Sequence, residues 1–293
     1  MLFNATHGVE LDPKNMTGKL LKEKVTSKQS YERILQSFGF GMFQERAVGQ
    51  PSPVQEERVK TKRITSRRHA LGYVIGIKDL EKDPNKLVAS KAPKLRAAYI
   101  HTLNALIQLA FIKGGASSGF LSSMVDDLAI YSTAHLLKDG TTQSNKASYP
   151  ISAPHLLQML ADLNSQRGWE GMPVTNCEQW DILADPGKQP FVQTILESDL
   201  FAGTSNNDES GVIQRSFRSV IAMKYWALGG TTTTNTLICN PVSEEDRPFF
   251  MMETEALTME DDKLPSVGLQ GFYAWFETVI ESLTHHNTLM TNT

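Results

Sequence analysis

Apolar and polar positions along the chain follow two periods. Between residues 79 and 115, Leu95, Tyr99, Leu103, Leu106 and Ala110 recur every three or four positions, the spacing that lines up one face of a helix. Asp83-Pro84 reads as a start signal and Gly114-Gly115 as a stop, with Pro93 either starting the strong part of the helix or kinking it. The predicted element is about 20 to 28 residues long and spans roughly 30 to 40 Å at 1.5 Å per residue. His101 falls inside it and reads as a packed or half-buried side chain. A second helix is expected in "ISAPHLLQMLADLNSQRG", with Ser152 as N-cap, Leu156, Leu157, Leu160 and Leu163 on one face, and Gly168 at its end. "WDILADP" is an unbroken apolar run stopped by Pro186, the pattern of a buried strand, and "PFVQTILESDLF" reads as a short amphipathic helix. Further on, apolar residues alternate or run in short blocks and predict strands within 212–225, 237–239, 249–252 and 269–280.

The first third has a different texture. Residues 1–43 mix short apolar clusters with Lys14, Lys19, Lys22, Lys24 and Lys28 and end in "SFGFGMF". Such a segment cannot form a core alone and is expected to lie on something else. After the turn formers Gly49, Pro51, Ser52 and Pro53, the strand formers Val59, Thr61, Ile64 and Thr65 interleave with Arg58, Lys60, Lys62, Arg63, Arg67 and Arg68. Tyr73, Val74, Ile75 and Ile77 then bring the chain back as an apolar strand. The pattern predicts a long two-stranded projection, charged near its tip and apolar at its root. The sum is an α+β chain whose strands come late and whose early segments extend outward, with no internal repeat.

Composition narrows the class. With 293 residues and 40% hydrophobic content the chain can bury a sizeable core without disulfides, as one large domain or two modest ones. Cys177 and Cys239 are too few and too far apart for a disulfide framework or a metal knuckle and read as reduced and structural. No apolar run approaches the roughly 20 residues needed to cross a bilayer, and the N-terminus lacks the pattern of a signal peptide. The expectation is a product that stays in the cytoplasm that makes it. The net charge of -3 is unevenly spread: residues 1–100 carry 19 Lys+Arg against 10 Asp+Glu, and the remainder 10 against 22. An acidic remainder argues against a dedicated nucleic-acid binder, and opposite signs in the two parts favour attraction within one chain or between copies.

Candidate chemistry is sparse. "YSTAHLLKDGTTQSN" holds Ser132, His135 and Asp139, and a Ser132–His135 nucleophile and base would make a hydrolase, but no GxSxG context surrounds them. Neither GxxxxGKS nor GxGxxG occurs, so no nucleotide cofactor is expected. HExxH and CxxC are also absent, and the adjacent His285 and His286 near the chain end diverge, so no metal site is expected. The short acidic runs around Asp126-Asp127, 244–246 and 260–262 read as solvated faces.

The order of elements resembles the major capsid (major head) protein of tailed bacteriophages, the Hong Kong ninety-seven-type fold. The pieces that carry the likeness are "LGYVIGIKDLEKDPNK" (71–86), "AIYSTAHLLKDGTTQSNKAS" (129–148), "WDILADP" (180–186) and "GFYAWFETVIES" (271–282), and it covers roughly residues 40 to 285. The resemblance implies an N-terminal arm at 1–43, an extended loop (E-loop) hairpin at 44–78, and a peripheral domain with a long spine helix at 79–149. It further implies an axial domain at 150–250, and return strands with a C-terminal tail at 251–293. Inter-subunit contacts are expected from Arg58, Lys60, Lys62, Arg63, Arg67 and Arg68 on the loop and from Phe38, Phe40 and Phe43 on the arm. Ser132, His135 and Asn145 become loop-shaping residues. The implied role is structural and not enzymatic: hexamers and pentamers closing an icosahedral head around phage double-stranded DNA, which the subunit touches only nonspecifically. Portal and scaffolding proteins, and a decoration protein, are the further partners implied. The alternatives are an encapsulin-type nanocompartment shell and the soluble hydrolase.

Overall fold

The computed structural model describes residues 17–29, 31–37, 59–78, 91–114, 126–174, 177–198, 208–225, 236–264, 269–282 and 288–291. The first elements are α1 (Thr17–Leu20), β1 (Lys24–Thr26), β2 (Tyr31–Ser37), β3 (Val59–Thr65), β4 (Arg67–Gly76) and α2 (Lys91–Lys113). There follow β5 (His135–Leu136), β6 (Thr142–Gln143), β7 (Lys146–Ala147), α3 (Ala153–Asn164), β8 (Trp180–Ala184), α4 (Gln189–Glu197), α5 (Asp208–Ser216), β9 (Phe217–Ala222) and β10 (Leu237–Pro241). The long strands β11 (Phe249–Leu264) and β12 (Leu269–Ser282) and the short β13 (Leu289–Thr291) close the chain.

The expected long helix forms as α2. Pro93 lies in its first turn, where a missing N–H costs no hydrogen bond, so it stands at the start of the helix and not at a kink inside it. Leu95, Tyr99, Leu103, Ile107 and Ala110 are buried along one stripe, while Leu106 is only partly buried. The stripe packs on a four-stranded sheet of order β1-β11-β12-β4. Tyr99 meets Phe276 edge-on at 4.7 Å between ring centroids, and Phe111 meets Phe249 at 4.3 Å. His101 departs from expectation. Two residues from both Tyr99 and Leu103, it is rotated about 200° off the stripe, and it is exposed, with Nδ1 2.7 Å from the Tyr225 hydroxyl.

The N-terminal segment is built into this core. Leu20 and Leu21 are buried in it, and β1 runs parallel to β11. The buried Arg247 guanidinium clips the segment in place, donating to the carbonyls of Leu21 (2.9 Å), Val242 (2.9 Å) and Pro241 (3.3 Å).

A second sheet, of order β7-β13-β10-β8-β9, lies between two cores. Leu183 and Ile238 point to the α2 core, while Trp180, Ile182, Ala184 and Cys239 face a second core formed with α3, α4 and α5. That double burial is why "WDILA" shows no alternation.

Several expectations change in detail. The strand expected within 212–225 begins only at Phe217, because Ile213 and Phe217 are buried four residues apart on either side of an α5 turn while Val212 is 47% exposed. Ser152 precedes α3 but makes no side-chain cap; its Oγ is 2.5 Å from His155 Nδ1. The helix stops at Asn164, short of Gly168. The tail after 282 ends in a buried strand, β13, paired with β10 and β7. His285 and His286 lie outside the described residues.

The projecting hairpin has a different pair of strands from the one expected. β3 pairs with the earlier β2, in antiparallel register from Tyr31↔Thr65 to Ser37↔Val59. The apolar return strand β4 instead joins the large sheet beside β12, with Tyr73 stacked on Phe272 at 4.9 Å and His69 on Phe276 at 5.1 Å. Burying two aromatic stacks favours that placement over a free ribbon.

Candidate assembly surface

Ser132, His135 and Asn145 meet in one polar knot, which is not a catalytic arrangement. His135 is 0% exposed. Its Nδ1 is 2.7 Å from an Asp126 carboxylate oxygen, and its Nε2 is 3.0 Å from the Ile130 carbonyl and 3.1 Å from Asn145 Oδ1. The Ser132 backbone N–H donates to Asn145 Oδ1 at 2.9 Å, and Asn145 Nδ2 donates to the Ile130 carbonyl at 2.7 Å. With its oxygen fixed by the Ser132 N–H, Asn145 offers His135 an acceptor, so Nε2 carries a proton. The Ser132 hydroxyl accepts from the Ala134 N–H at 3.3 Å and is no partner of the imidazole. Burial acts to raise the Asp126 pKa, but the hydrogen bond from His135 and its charge, with the backbone N–H groups of Leu128 and Leu136, outweigh it and hold the carboxyl below its usual range. The knot ties the 126–137 loop to β7.

The next residue, Asp127, adopts a left-handed backbone (φ 63°), a conformation aspartate tolerates. Its carboxylate holds Lys60 of β3 at 2.8 Å. Further along the hairpin Lys62 pairs with Glu281 at 2.7 Å, and the Ser66 hydroxyl donates to Glu277 at 3.5 Å. Beneath them Ile64 and Ile34 pack on Phe250, Met252 and Val279. The inner face of the β2–β3 hairpin is therefore fastened to its own subunit.

This placement sorts the six basic residues expected at contacts between copies. Lys60 and Lys62, expected at contacts between copies, pair within this chain with Asp127 and Glu281. Arg68 lies over the Trp275 ring at 5.1 Å and within 3.5 Å of Glu255 and 3.7 Å of Glu277. Arg67 is exposed at the start of β4. Arg63 is exposed and covers the Tyr31 ring at 4.3 Å. Arg58 and the arm residues Phe38, Phe40 and Phe43 lie outside the described residues. The sequence reading missed β2, whose Tyr31, Arg33 and Leu35 face outward and whose Glu32 and Ile34 are half-buried; apolar and polar residues are mixed on both faces of "YERILQS", so hydropathy gives no alternation to find it by.

Among the described residues no group of three His, Cys, Asp or Glu is placed to hold a metal. Cys177 and Cys239 are buried free thiols, and burial pushes both pKa values up, away from reactivity.

No family model and no curated protein matches the sequence. Solved structures do match the fold. The capsid of a native GTA particle superposes with a TM-score of 0.61 at 9% identity, covering 100% of this chain and 98% of that one. The capsid of the cyanophage P-SCSP1u gives 0.58 at 10% identity, over 94% of this chain and 86% of that one. The mature capsid of bacteriophage PhiM1 gives 0.56 at 11% identity, over 92% and 83%. The chain therefore has the α+β fold of phage capsid proteins.

Proposed function

We propose that this chain is a major capsid subunit, which self-assembles into hexamers and pentamers and closes an icosahedral head around phage double-stranded DNA. The observation that carries the reading is the end-to-end match to a capsid chain, covering 100% of this chain and 98% of that one. The geometry agrees: the one serine–histidine pair that suggested catalysis is locked in a buried structural knot, and a basic hairpin projects with apolar side chains on its open side. In this reading β2 and β3 form the extended loop, so it begins earlier than residue 44. The four-stranded sheet with α2 forms the peripheral domain, and the five-stranded sheet with α3 to α5 forms the axial domain. Partners are further copies of the chain, portal and scaffolding proteins, and a decoration protein, with DNA touched only nonspecifically. The shell is assembled in the host bacterial cytoplasm and ends in the virion.

The test is negative-stain electron microscopy and size-exclusion chromatography of the purified chain, alone and co-expressed with candidate scaffolding proteins. Closed particles, tubes or capsomers are expected; a monomer under both conditions overturns the reading.

A further inference from the structure

Two successive aspartates do opposite things. The Asp126 side chain is 4% exposed and bonded to the fully buried His135, whereas that of Asp127 is 80% exposed and reaches Lys60. The backbone between them explains the divergence. Asp126 Oδ1 accepts the Leu128 N–H at 3.2 Å and so closes a turn around Asp127. Inside that turn Asp127 takes its φ of 63°, and among the described residues it is the one non-glycine residue at positive φ. Such a conformation persists where the surroundings over-determine it, and here they do. One oxygen of Asp126 is fixed on His135, while the other shapes the chain at Asp127 and points its carboxylate out of the knot.

The lysine that Asp127 meets stands far out on a lever. Three polar contacts step along the hairpin from its root: Ser66–Glu277, Lys62–Glu281 and Lys60–Asp127. The first two bind it to β12, the strand it lies on. Of the three, the last alone reaches another part of the chain, the loop after α2. At about 3.3 Å per residue Lys60 is about 20 Å along the strand from Ser66, so a small shift at this point turns the whole ribbon. The ribbon does little to hold its own direction, because two strands alone are marginal and Arg33 stands directly opposite Arg63, a like-charge pair. An exposed ion pair adds little to folding stability, and the consequence of Lys60–Asp127 lies in where it places the hairpin.

We propose that the polar knot is a positioning device for the β2–β3 hairpin: Asp126, through the turn it closes around Asp127, sets the anchor that receives Lys60 and thereby fixes the angle at which the hairpin leaves the body of the same chain. Asp126 is a positioning residue that acts on Lys60 through Asp127, and His135 holds Asp126 in place for that role. The inference concerns the single chain and goes beyond the shell reading, so it stands or falls whether or not copies assemble.

Distances between two spin labels on the full-length chain, measured on its monomeric fraction, test it. One label replaces Leu35, exposed on β2, and the other Arg96, exposed on α2, while the native cysteines are buried. Lys60→Met removes the strut. Leu128→Pro removes the N–H that closes the turn and pushes Asp127 toward extended backbone, yet spares the Asp126–His135 pair. Asp126→Asn leaves one amide oxygen where a carboxylate served both partners. Each change should at least double the width of the distance distribution. Lys60→Met combined with Leu128→Pro should be no wider than either alone, because both act on one strut. Val192→Ala, a buried truncation in the second core, loosens the fold away from the knot and should leave the width unchanged. Circular dichroism confirms that each variant is folded, and Leu128→Pro decides the matter should Asp126→Asn fail to fold. A wild-type width in Leu128→Pro overturns the proposal, as does equal widening in Val192→Ala or a combined variant wider than both of its parents.

Discussion

At the scale of single residues, buried charge is used to tie segments together. Arg247 supplies three donors to carbonyls from two parts of the chain, and removing it leaves the oxygens of Leu21, Pro241 and Val242 without that donor. At about 1 kcal/mol for each acceptor left unsatisfied, Arg247→Met should cost about 2 kcal/mol in urea unfolding of the monomer, since the Pro241 carbonyl keeps a hydrogen bond from Asn240 Nδ2, with Arg247→Lys recovering part of it. Asp126 gives a pH signature. Its folded pKa lies below its unfolded one, so the stability it contributes is present above the unfolded value of about 3.9 and is lost as pH falls through the folded value. Asp126→Asn should therefore destabilise the chain at pH 7 by about 1 to 3 kcal/mol, the cost of leaving a buried hydrogen-bonding group imperfectly paired, and flatten the acid limb of a stability profile measured from pH 6 to pH 2. An acid limb as steep as wild type would show that other carboxylates carry it. Ser132→Ala, by contrast, removes a hydroxyl that accepts only one 3.3 Å hydrogen bond and should shift the melting temperature little.

At the scale of elements, the flat packing of Tyr273 makes Gly72 and Gly271 the sensitive points of the β4–β12 pair. Gly72→Val forces the ring off the strand, and should cost about 1 to 3 kcal/mol and speed hydrogen exchange in β4 while leaving the five-stranded sheet protected. Elements with strong local periodicity were legible in the sequence: α2, α3, β8 and α4 all form where the apolar pattern placed them. Partnerships were less legible. Nothing local in "VKTKRIT" says whether its partner is the strand before it or the one after, because both offer strand-forming apolar residues; the choice is made by Ile64 finding Phe250 and Met252, nearly 190 positions away. β13 was unreadable for the same reason, since three residues that would be a frayed end in isolation are held by β10 and β7. The polar knot was legible as residues, and its loop-shaping role through the resemblance, but Asp126, expected on a solvated face, is instead buried against His135, a partnership no local pattern announces. The candidate assembly surface was half legible: basic character was plain, but which side of the ribbon faces solvent followed only from the pairing that turns Lys60 and Lys62 inward and leaves Arg33 and Arg63 outward.

At the scale of the whole molecule, the separation of charge along the chain has a kinetic consequence in the shell reading. Basic surface on one copy and acidic surface on another attract over distances comparable with the screening length, about 10 Å at 0.1 M salt and 3 Å at 1 M. Complementary charge raises the rate of encounter more than the final affinity, whereas apolar surface buried between copies is not weakened by screening. The two contributions thus separate in one experiment. Light scattering of the assembling wild-type chain should show the initial rate falling at least tenfold between 0.05 M and 1 M sodium chloride, within the range by which steering accelerates association. The fraction assembled at equilibrium should change far less. The intrachain pairs Lys62–Glu281 and Lys24–Glu253 are partly shielded from solvent, so the monomer's melting temperature should move by only a few degrees over the same range. A rate indifferent to salt would mean that complementary charge does not bring copies together before contact, and that apolar surface alone directs the encounter.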